Sequence, residues 1–419
     1  MNGPSPATGA SEDVSIGVDA LVARRRAGFA LEQPFYLSDA VFRADVERVF
    51  LNAWLYAGHV SEIPHAGDYL TYEFGDASVL LVRAQDGAIH ALANVCRHRG
   101  SRICMEHSGH VGKIVCPYHQ WIYDHDGRLL AAKHMPADFD RSEHGLKKVH
   151  LRNLEGLLFV CLGDSAPDFS GIERDLAPQL RPHALANAKI AHRITYPMKA
   201  NWKLAMENWR ECYHCAVGHP EFCKVTGADR TFASARNRAQ YDRRESEWRD
   251  KWNREGLLTK QVRLDPPSTF YTANRYALAD GNATESMDGK PVAPLMGDLQ
   301  DPEAGTLGVN IFPIFSVQVH SDYAFVLNMK PIDAARTSYE TLWLVRADAQ
   351  EGRDYDLKQL TEFWRITAEQ DVALVEWNQL GVRSPHYAPG PLSTIEREYM
   401  EKFIEWYLWM MGACHVTQQ

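Results

Sequence analysis

The spacing of apolar residues changes several times along the chain, and each change marks a different kind of element. From Ser38 onward, Val41, Phe42, Val46, Val49 and Phe50 recur at three- and four-residue intervals. That spacing predicts a helix with Ser38 as its N-cap. Between about 52 and 163 the pattern becomes short apolar runs broken by Gly, Asp and His: WLYAGHV, YLTYEFG, SVLLVRA, IHALANV, KIVCPYH and GLLFVCL. DGA at 86–88 and HDGR at 125–128 read as hairpin turns, so these six strands predict a small all-β domain. Helical spacing returns in NWKLAMENWRECYHCAVGHPEF at 201–222, and 227–300 is polar and irregular. Three long strands follow, GVNIFPIFSVQVH, DYAFVLNMKPI and TSYETLWLVRA. The short turns between them predict an antiparallel meander. A helix over about 354–379, the loop VRSPHYAPGPLS and an amphipathic helix bearing Tyr399, Phe403, Trp406 and Met410 complete the chain.

The expected fold class is therefore α+β. A disordered arm (1–18) leads into a helical segment (19–51) that belongs with the larger domain. The all-β domain (52–163) comes next. A larger domain (164–419) has a central antiparallel sheet flanked by helices. At about 150 residues per domain, 419 residues suit this division. A composition of 45% hydrophobic and 24% charged residues excludes a disordered chain. The net charge of −9 argues against a nucleic-acid partner. No apolar run reaches the ~18 residues that would span a membrane. The opening MNGPSPATGASEDVSIG has neither the basic nor the apolar part of a secretory signal, so a cytoplasmic location is expected. The eight cysteines are then expected to be reduced thiols, some of them bound to metal.

Two constellations carry the chemistry. Residues 94–121 read NVCRHRGSRICMEHSGHVGKIVCPYHQW, with Cys96-x-His98 and, 17 residues on, Cys116-x-x-His119. Two thiolates and two imidazoles suit either a tetrahedral zinc or a Rieske [2Fe–2S] cluster. Zinc fingers usually keep their Cys together and their His together. Here each loop supplies one of each, as a cluster with two Cys on one iron and two His on the other requires. The second constellation spans 201–220. Glu211 and His214 are three apart and are expected on one helix face. His219 is five beyond His214, off that face, so a break is expected at Gly218 and Pro220. Two converging His with one carboxylate would form a facial triad with open coordination positions. Asp371 is the best carboxylate by context, because it lies mid-helix among Phe363, Trp364, Ile366, Val372, Leu374 and Val375, where a lone Asp is costly. A salt-bridged Asp at a solvated edge is the other reading, and Glu369 and Glu376 are competing ligands.

CRHRG at 96–100 and CPYHQW at 116–121 resemble the Rieske motif of the catalytic alpha subunits of Rieske non-haem iron oxygenases. The resemblance implies a helix-grip catalytic domain, with Cys96 and Cys116 on one iron of the cluster and His98 and His119 on the other. It also implies a mononuclear Fe(II) held by His214, His219 and Asp371. Glu211 would link His214 to His119 of the partner subunit in a head-to-tail homotrimer. Ring-hydroxylating members usually have Asp at that position, where this chain has Glu. Substrate and O₂ would meet at the mononuclear iron. Electrons would come from NADH or NADPH through a separate flavin and [2Fe–2S] reductase, since the chain lacks a GxGxxG dinucleotide motif.

ENWRECYHC at 207–215, EQPFY at 32–36, NWK at 201–203 and SPHYAPGPLS at 384–393 are similar to the branch acting on quaternary ammonium compounds: choline, carnitine, glycine betaine and proline betaine. Such a cation has no N–H to donate and is held by aromatic faces. Trp209, Tyr213, Phe312, Phe315, Tyr323 and Tyr387 are the aromatic candidates, with His320 for a substrate carboxylate. The expected activity is hydroxylation and N-demethylation of a betaine-like amine. Hydroxylation of an aromatic acid is the alternative. A Rieske electron carrier or zinc-stabilised binding protein is disfavoured by the chain length and the second metal motif.

Overall fold

A computed structural model of the chain describes residues 17–264 and 269–413. The expected arm up to residue 16 and Cys414 lie outside the described residues. A short helix, α1 (Val18–Ala23), precedes α2 (Pro34–Leu37) and α3 (Asp39–Ala44). Ser38 caps α3 by accepting from the Val41 N–H at 3.4 Å.

Ten short strands build the small domain: β1 (Leu55–His59), β2 (Asp68–Phe74), β3 (Ala77–Arg83), β4 (Ile89–Ala93), β5 (Ser108–His110), β6 (Ile114–Val115), β7 (Ile122–Tyr123), β8 (Leu129–Ala131), β9 (His150–Leu154) and β10 (Leu157–Cys161). They form antiparallel sheets of order β4-β3-β2-β5, β6-β7-β8 and β1-β10-β9. The run KIVCPYH is a strand only over Ile114–Val115. Pro117 has no N–H to give a ladder, and the chain leaves the sheet as a loop.

The larger part of the chain is organised by a seven-stranded antiparallel sheet of order β11-β17-β16-β15-β14-β13-β12. Its strands are β11 (Ala188–Met198), β12 (Val262–Leu264), β13 (Tyr271–Tyr276), β14 (Thr306–Ile311), β15 (Phe315–Val319), β16 (Ala324–Asp333) and β17 (Arg336–Arg346). The expected meander is present as β14 to β17, with one correction. GVNIFPIFSVQVH folds as two strands joined by a turn at Phe312–Ile314, because Pro313 fixes its own φ and cannot donate to a ladder. β11 to β13 were not expected.

One sheet face packs on α4 (Ser170–Leu180) and on Tyr56 and Phe159 of the small domain, through Val309, Phe315, Val317 and Val326. The other face carries α5 (Trp202–Arg210), α9 (Leu357–Val382) and α10 (Lys402–Ala413), against Phe325, Leu327 and Trp343. Between α5 and the edge strands lie α6 (Cys215–Gly218), α7 (Pro220–Thr226) and α8 (Ala235–Arg254). The α8 helix falls in the stretch expected to be irregular. Its sequence, ARNRAQYDRRESEWRDKWNR, has almost no apolar stripe to reveal a period. No described helix is long and apolar enough to cross a membrane.

An ion pair at the heart of the helical layer fastens α5. Lys203 and Asp45 are both fully buried and paired, and Asp45 also accepts from Trp202 Nε1 at 2.9 Å and Tyr407 OH at 2.7 Å. The segment after α3, the start of α5 and α10 are thereby joined through one carboxylate.

Candidate active site

Two loops of the small domain close in the same way. After β4, the Gly100 N–H donates to the Cys96 carbonyl at 3.0 Å, and the Cys96 N–H donates to Ser101 O at 2.8 Å. Between β6 and β7, Gln120 N–H donates to the Cys116 carbonyl at 3.0 Å and Cys116 N–H to Trp121 O at 2.9 Å. Each loop turns through the left-handed region, at Gly100 (φ 75°) and at Gln120 (φ 56°). Glycine adopts that conformation freely; Gln120 is strained. The matching loops bury the sulfurs of Cys96 and Cys116 and leave His98 half-exposed and His119 exposed. The two Nδ1 atoms face each other at 3.1 Å, and Trp121 stacks flat on His98. Burial raises the Cys96 thiol pKa, while a 3.3 Å contact with Tyr123 OH favours the thiolate. These four side chains do not close on a single ion. Among the described residues, only His214, His219 and Asp371 form a group of three or more ligand atoms all within 4.8 Å of one another. A buried sulfur pair and a separate imidazole pair fit a two-iron cluster and not one tetrahedral zinc.

The second group forms where α5 ends. The expected shared helix face is corrected: α5 stops at Arg210, and Glu211 is already extended (φ −130°, ψ 160°). Glu211 and His214 meet across the following turn, with the Glu211 carboxylate accepting from the Tyr213 N–H. The break at Gly218 and Pro220 is present, and His219 stands between α6 and α7. His214 Nε2 and His219 Nε2 are 3.1 Å apart, and Asp371 Oδ1 from α9 lies 3.4 and 3.0 Å from them. Asp371 is buried, whereas Glu369 pairs with Arg365 at the surface and Glu376 accepts from Lys199 N–H, so neither competitor reaches the group.

Each imidazole is held from behind. Glu211 Oε1 lies 2.7 Å from His214 Nδ1, and Gln370 Oε1 lies 2.8 Å from His219 Nδ1. An acceptor on Nδ1 places the ring proton there and leaves the Nε2 lone pair facing the common point, as metal-binding histidines are usually arranged. Glu221 accepts from Gln370 Nε2 at 3.4 Å, which turns the amide oxygen towards His219. Burial opposes charge on His214, yet bonds to Asp371 and Glu211 raise its pKa to about 9. Burial likewise works against the Asp371 carboxylate, and the two histidines outweigh it and lower its pKa. A field that favours a proton among these groups also favours a metal cation. Gln370 was not expected from sequence, since a Gln beside an Asp on a helix carries no signal of its own.

A cavity of about 410 Å³ opens beside the group. Trp209, Phe222, Trp364 and Tyr276 supply aromatic walls, and Arg210, Asn310 and Gln318 supply polar ones. The polar wall follows from strand alternation. In β14 and β15, Val309, Phe315 and Val317 face the core, while Asn310 and Gln318 face the cavity. A polar phase on a buried strand was the available sequence signal for it.

Of the seven expected substrate residues, only Trp209 lines this cavity, with its Nε1 donating to Asn310 Oδ1 at 3.1 Å. The others are placed elsewhere, and these expectations are corrected. Tyr213 is half-exposed and stacks on Phe232. Phe312 sits in the turn before β15, stacked on Phe270, and Phe315 points to the opposite sheet face. His320 and Tyr323 are fully buried behind Trp364 and bond to Thr306 and Glu285. Tyr387 donates to Leu31 O and ties the loop after α9 to the N-terminal segment. The expectation of reduced thiols is also corrected at one place, since Cys212 and Cys215 form a disulfide around Tyr213 and His214.

The fold and both centres define an iron oxygenase alpha subunit, and comparison with known proteins agrees. Residues 185–413 match the ring hydroxylating alpha subunit (catalytic domain) family and residues 53–150 the Rieske [2Fe–2S] domain. The chain belongs to this family of Rieske oxygenase alpha subunits. It is an oxidoreductase whose cofactors are a Rieske [2Fe–2S] cluster and a mononuclear iron. Among its relatives is the glycine betaine monooxygenase oxygenase subunit of Pseudomonas aeruginosa, 38% identical over 90% of this chain and 88% of that protein. Another is the carnitine monooxygenase oxygenase subunit of Acinetobacter baumannii, 25% identical over 84% and 85%. The fold also matches the solved quaternary ammonium Rieske monooxygenase CntA, with a TM-score of 0.69 at 21% identity over 94% of this chain and 98% of that one.

Proposed function

We propose that this chain is the oxygenase component of a system that hydroxylates, and thereby N-demethylates, a betaine-like quaternary ammonium compound. The observation that carries the reading is the aromatic-walled cavity beside His214, His219 and Asp371, in a chain 38% identical to glycine betaine monooxygenase oxygenase subunits. A bound cluster and iron would supply electron storage and O₂ activation. His214 and His219 through Nε2, and Asp371 through Oδ1, would hold the mononuclear iron. Cys96 and Cys116, with His98 and His119, hold the cluster. Trp209, Phe222 and Trp364 exclude water and offer ring faces to a methylated cation. With two electrons and two protons, one oxygen atom of O₂ enters an N-methyl C–H bond and the other leaves as water. The N-hydroxymethyl product then breaks its N–CH₂OH bond, giving formaldehyde, a proton and a tertiary amine.

The electrons come from NADH or NADPH through a flavin and [2Fe–2S] reductase, in the cytoplasm. The exposed His119 makes a head-to-tail homotrimer the natural route, with Glu211 joining His214 to His119 of the partner subunit. Glu211 Oε1 holds His214 and Oε2 accepts from the Tyr213 N–H, and the carboxylate has further lone pairs that can accept a second imidazole. Glu211→Ala is expected to keep the iron content at saturating iron while product formation falls by about 100-fold. Wild-type turnover in that variant would remove Glu211 from the electron path.

The whole reading is tested with iron-loaded protein, a family reductase, NADH and O₂. Glycine betaine, proline betaine, carnitine, choline and several aromatic acids form the panel. Formaldehyde released in proportion to NADH from one of the betaines is the expected result. An oxygenated aromatic acid without formaldehyde would overturn it.

A further inference from the structure

The last residue of α5, Arg210, lines the same cavity as His214, His219 and Asp371. It is 9% exposed, so the residue is nine-tenths withdrawn from water. Its neighbours are rings, with the guanidinium carbon 5.0 Å from the Phe312 centroid and 5.8 Å from that of Tyr399. Among the described residues it has no carboxylate partner, and its Nε has no acceptor. The carboxylates near it in sequence are engaged elsewhere. Glu207 accepts from Tyr36 OH at 3.0 Å, and Glu211 holds His214 and the Tyr213 N–H. Burial lowers the pKa of Arg210 to about 10, which leaves it charged at neutral pH.

An unpaired buried cation is costly, and ring faces compensate it only in part. Side chains of this kind are retained where a ligand completes the pair. Resting on the reading above that this cavity receives the substrate, we infer that Arg210 binds the carboxylate of the substrate. The substrate class narrows accordingly. It carries a carboxylate as well as the methylated nitrogen, with the anionic end at Arg210 and the methyl groups towards His214, His219 and Asp371. Alcohols of the choline type lack the group that Arg210 selects. His320, the residue expected from sequence to meet this carboxylate, is sealed behind Trp364.

The test is calorimetric binding to iron-loaded protein under anaerobic conditions, with three probes. Glycine betaine carries both charges, 3,3-dimethylbutanoate replaces its nitrogen by carbon, and choline lacks the carboxylate. Arg210→Gln is expected to weaken both carboxylates by roughly 10- to 100-fold and to leave choline unchanged. Arg210→Lys should recover part of the loss. In turnover with betaine, KM should rise in Arg210→Gln while kcat at saturation holds. Unchanged betaine binding in Arg210→Gln, or an equal loss for choline, would overturn the role of Arg210. If wild-type protein binds 3,3-dimethylbutanoate as tightly as betaine and Arg210→Gln weakens both, the quaternary-ammonium reading falls and the carboxylate site stands. If no carboxylate of the set binds wild-type protein, both fall.

Discussion

Asp371→Ala is expected to lower the iron content from about three to about two per chain and to abolish product formation, with the visible absorption of the cluster unchanged. The structure gives the reason. Asp371 Oδ1 is the only carboxylate oxygen that meets both His214 Nε2 and His219 Nε2 among the described residues. Two imidazoles without a carboxylate bind ferrous iron weakly. Glu369 and Glu376 are turned away to Arg365 and the Lys199 N–H and cannot substitute. Iron analysis and the absorption spectrum of the purified variant decide the matter. Coupled turnover with a full complement of iron would show that another group holds the metal. Asp371→Glu is a finer probe. The added methylene carries the carboxylate beyond the point at which Asp371 Oδ1 lies 3.4 and 3.0 Å from the two Nε2 atoms, so partial iron binding with poor turnover is expected.

Lys203→Met should cost about 3–5 kcal/mol of stability, because it strands the buried Asp45 carboxylate without its cation. Trp202 Nε1 and Tyr407 OH would still donate to Asp45, but neither neutralises it. A double variant, Lys203→Met with Asp45→Leu, should recover much of the loss, since an apolar pair of similar volume leaves nothing uncompensated. Chemical denaturation of the two variants beside wild type measures both effects. A loss under about 1 kcal/mol for Lys203→Met would mean that water reaches Asp45 after all.

The grouping of His214, His219 and Asp371 and the paired Cys/His loops were legible because the chemistry proposed for them constrains the order of residues. Alternation of Cys and His within each loop, with Gly100 at the turn, can be read without knowing any strand. The break between His214 and His219 was legible from Gly218 and Pro220, but the earlier end of α5 was not, since nothing in NWRECYH forbids a helix. The α8 helix was hidden by its polarity. The β11 strand was hidden because it is an edge strand whose residues are mostly half-buried, so its alternation is blurred. Aromatic residues gave the weakest guide. Most are needed for core packing, and the choice between Trp209 and Phe315 depends on which sheet face each meets. Arg210 and Gln370 act through what they lack or hold in space, and a Gln or Arg inside a charged run looks like surface until the fold is known.

The cavity walls have a further consequence for how such a protein can diversify. The side that would face a metal is made by His214, His219 and Asp371, with their supports Glu211 and Gln370, all carried by α9 and the turns after α5. The facing side is made by Thr272, Asn274, Asn310 and Gln318 on the neighbouring strands β13 to β15. One wall of the cavity is therefore written on a different stretch of chain from His214, His219 and Asp371, whereas Trp209, Arg210 and Trp364 adjoin them in sequence. Substitutions at the strand positions can reshape that wall without touching His214, His219 or Asp371.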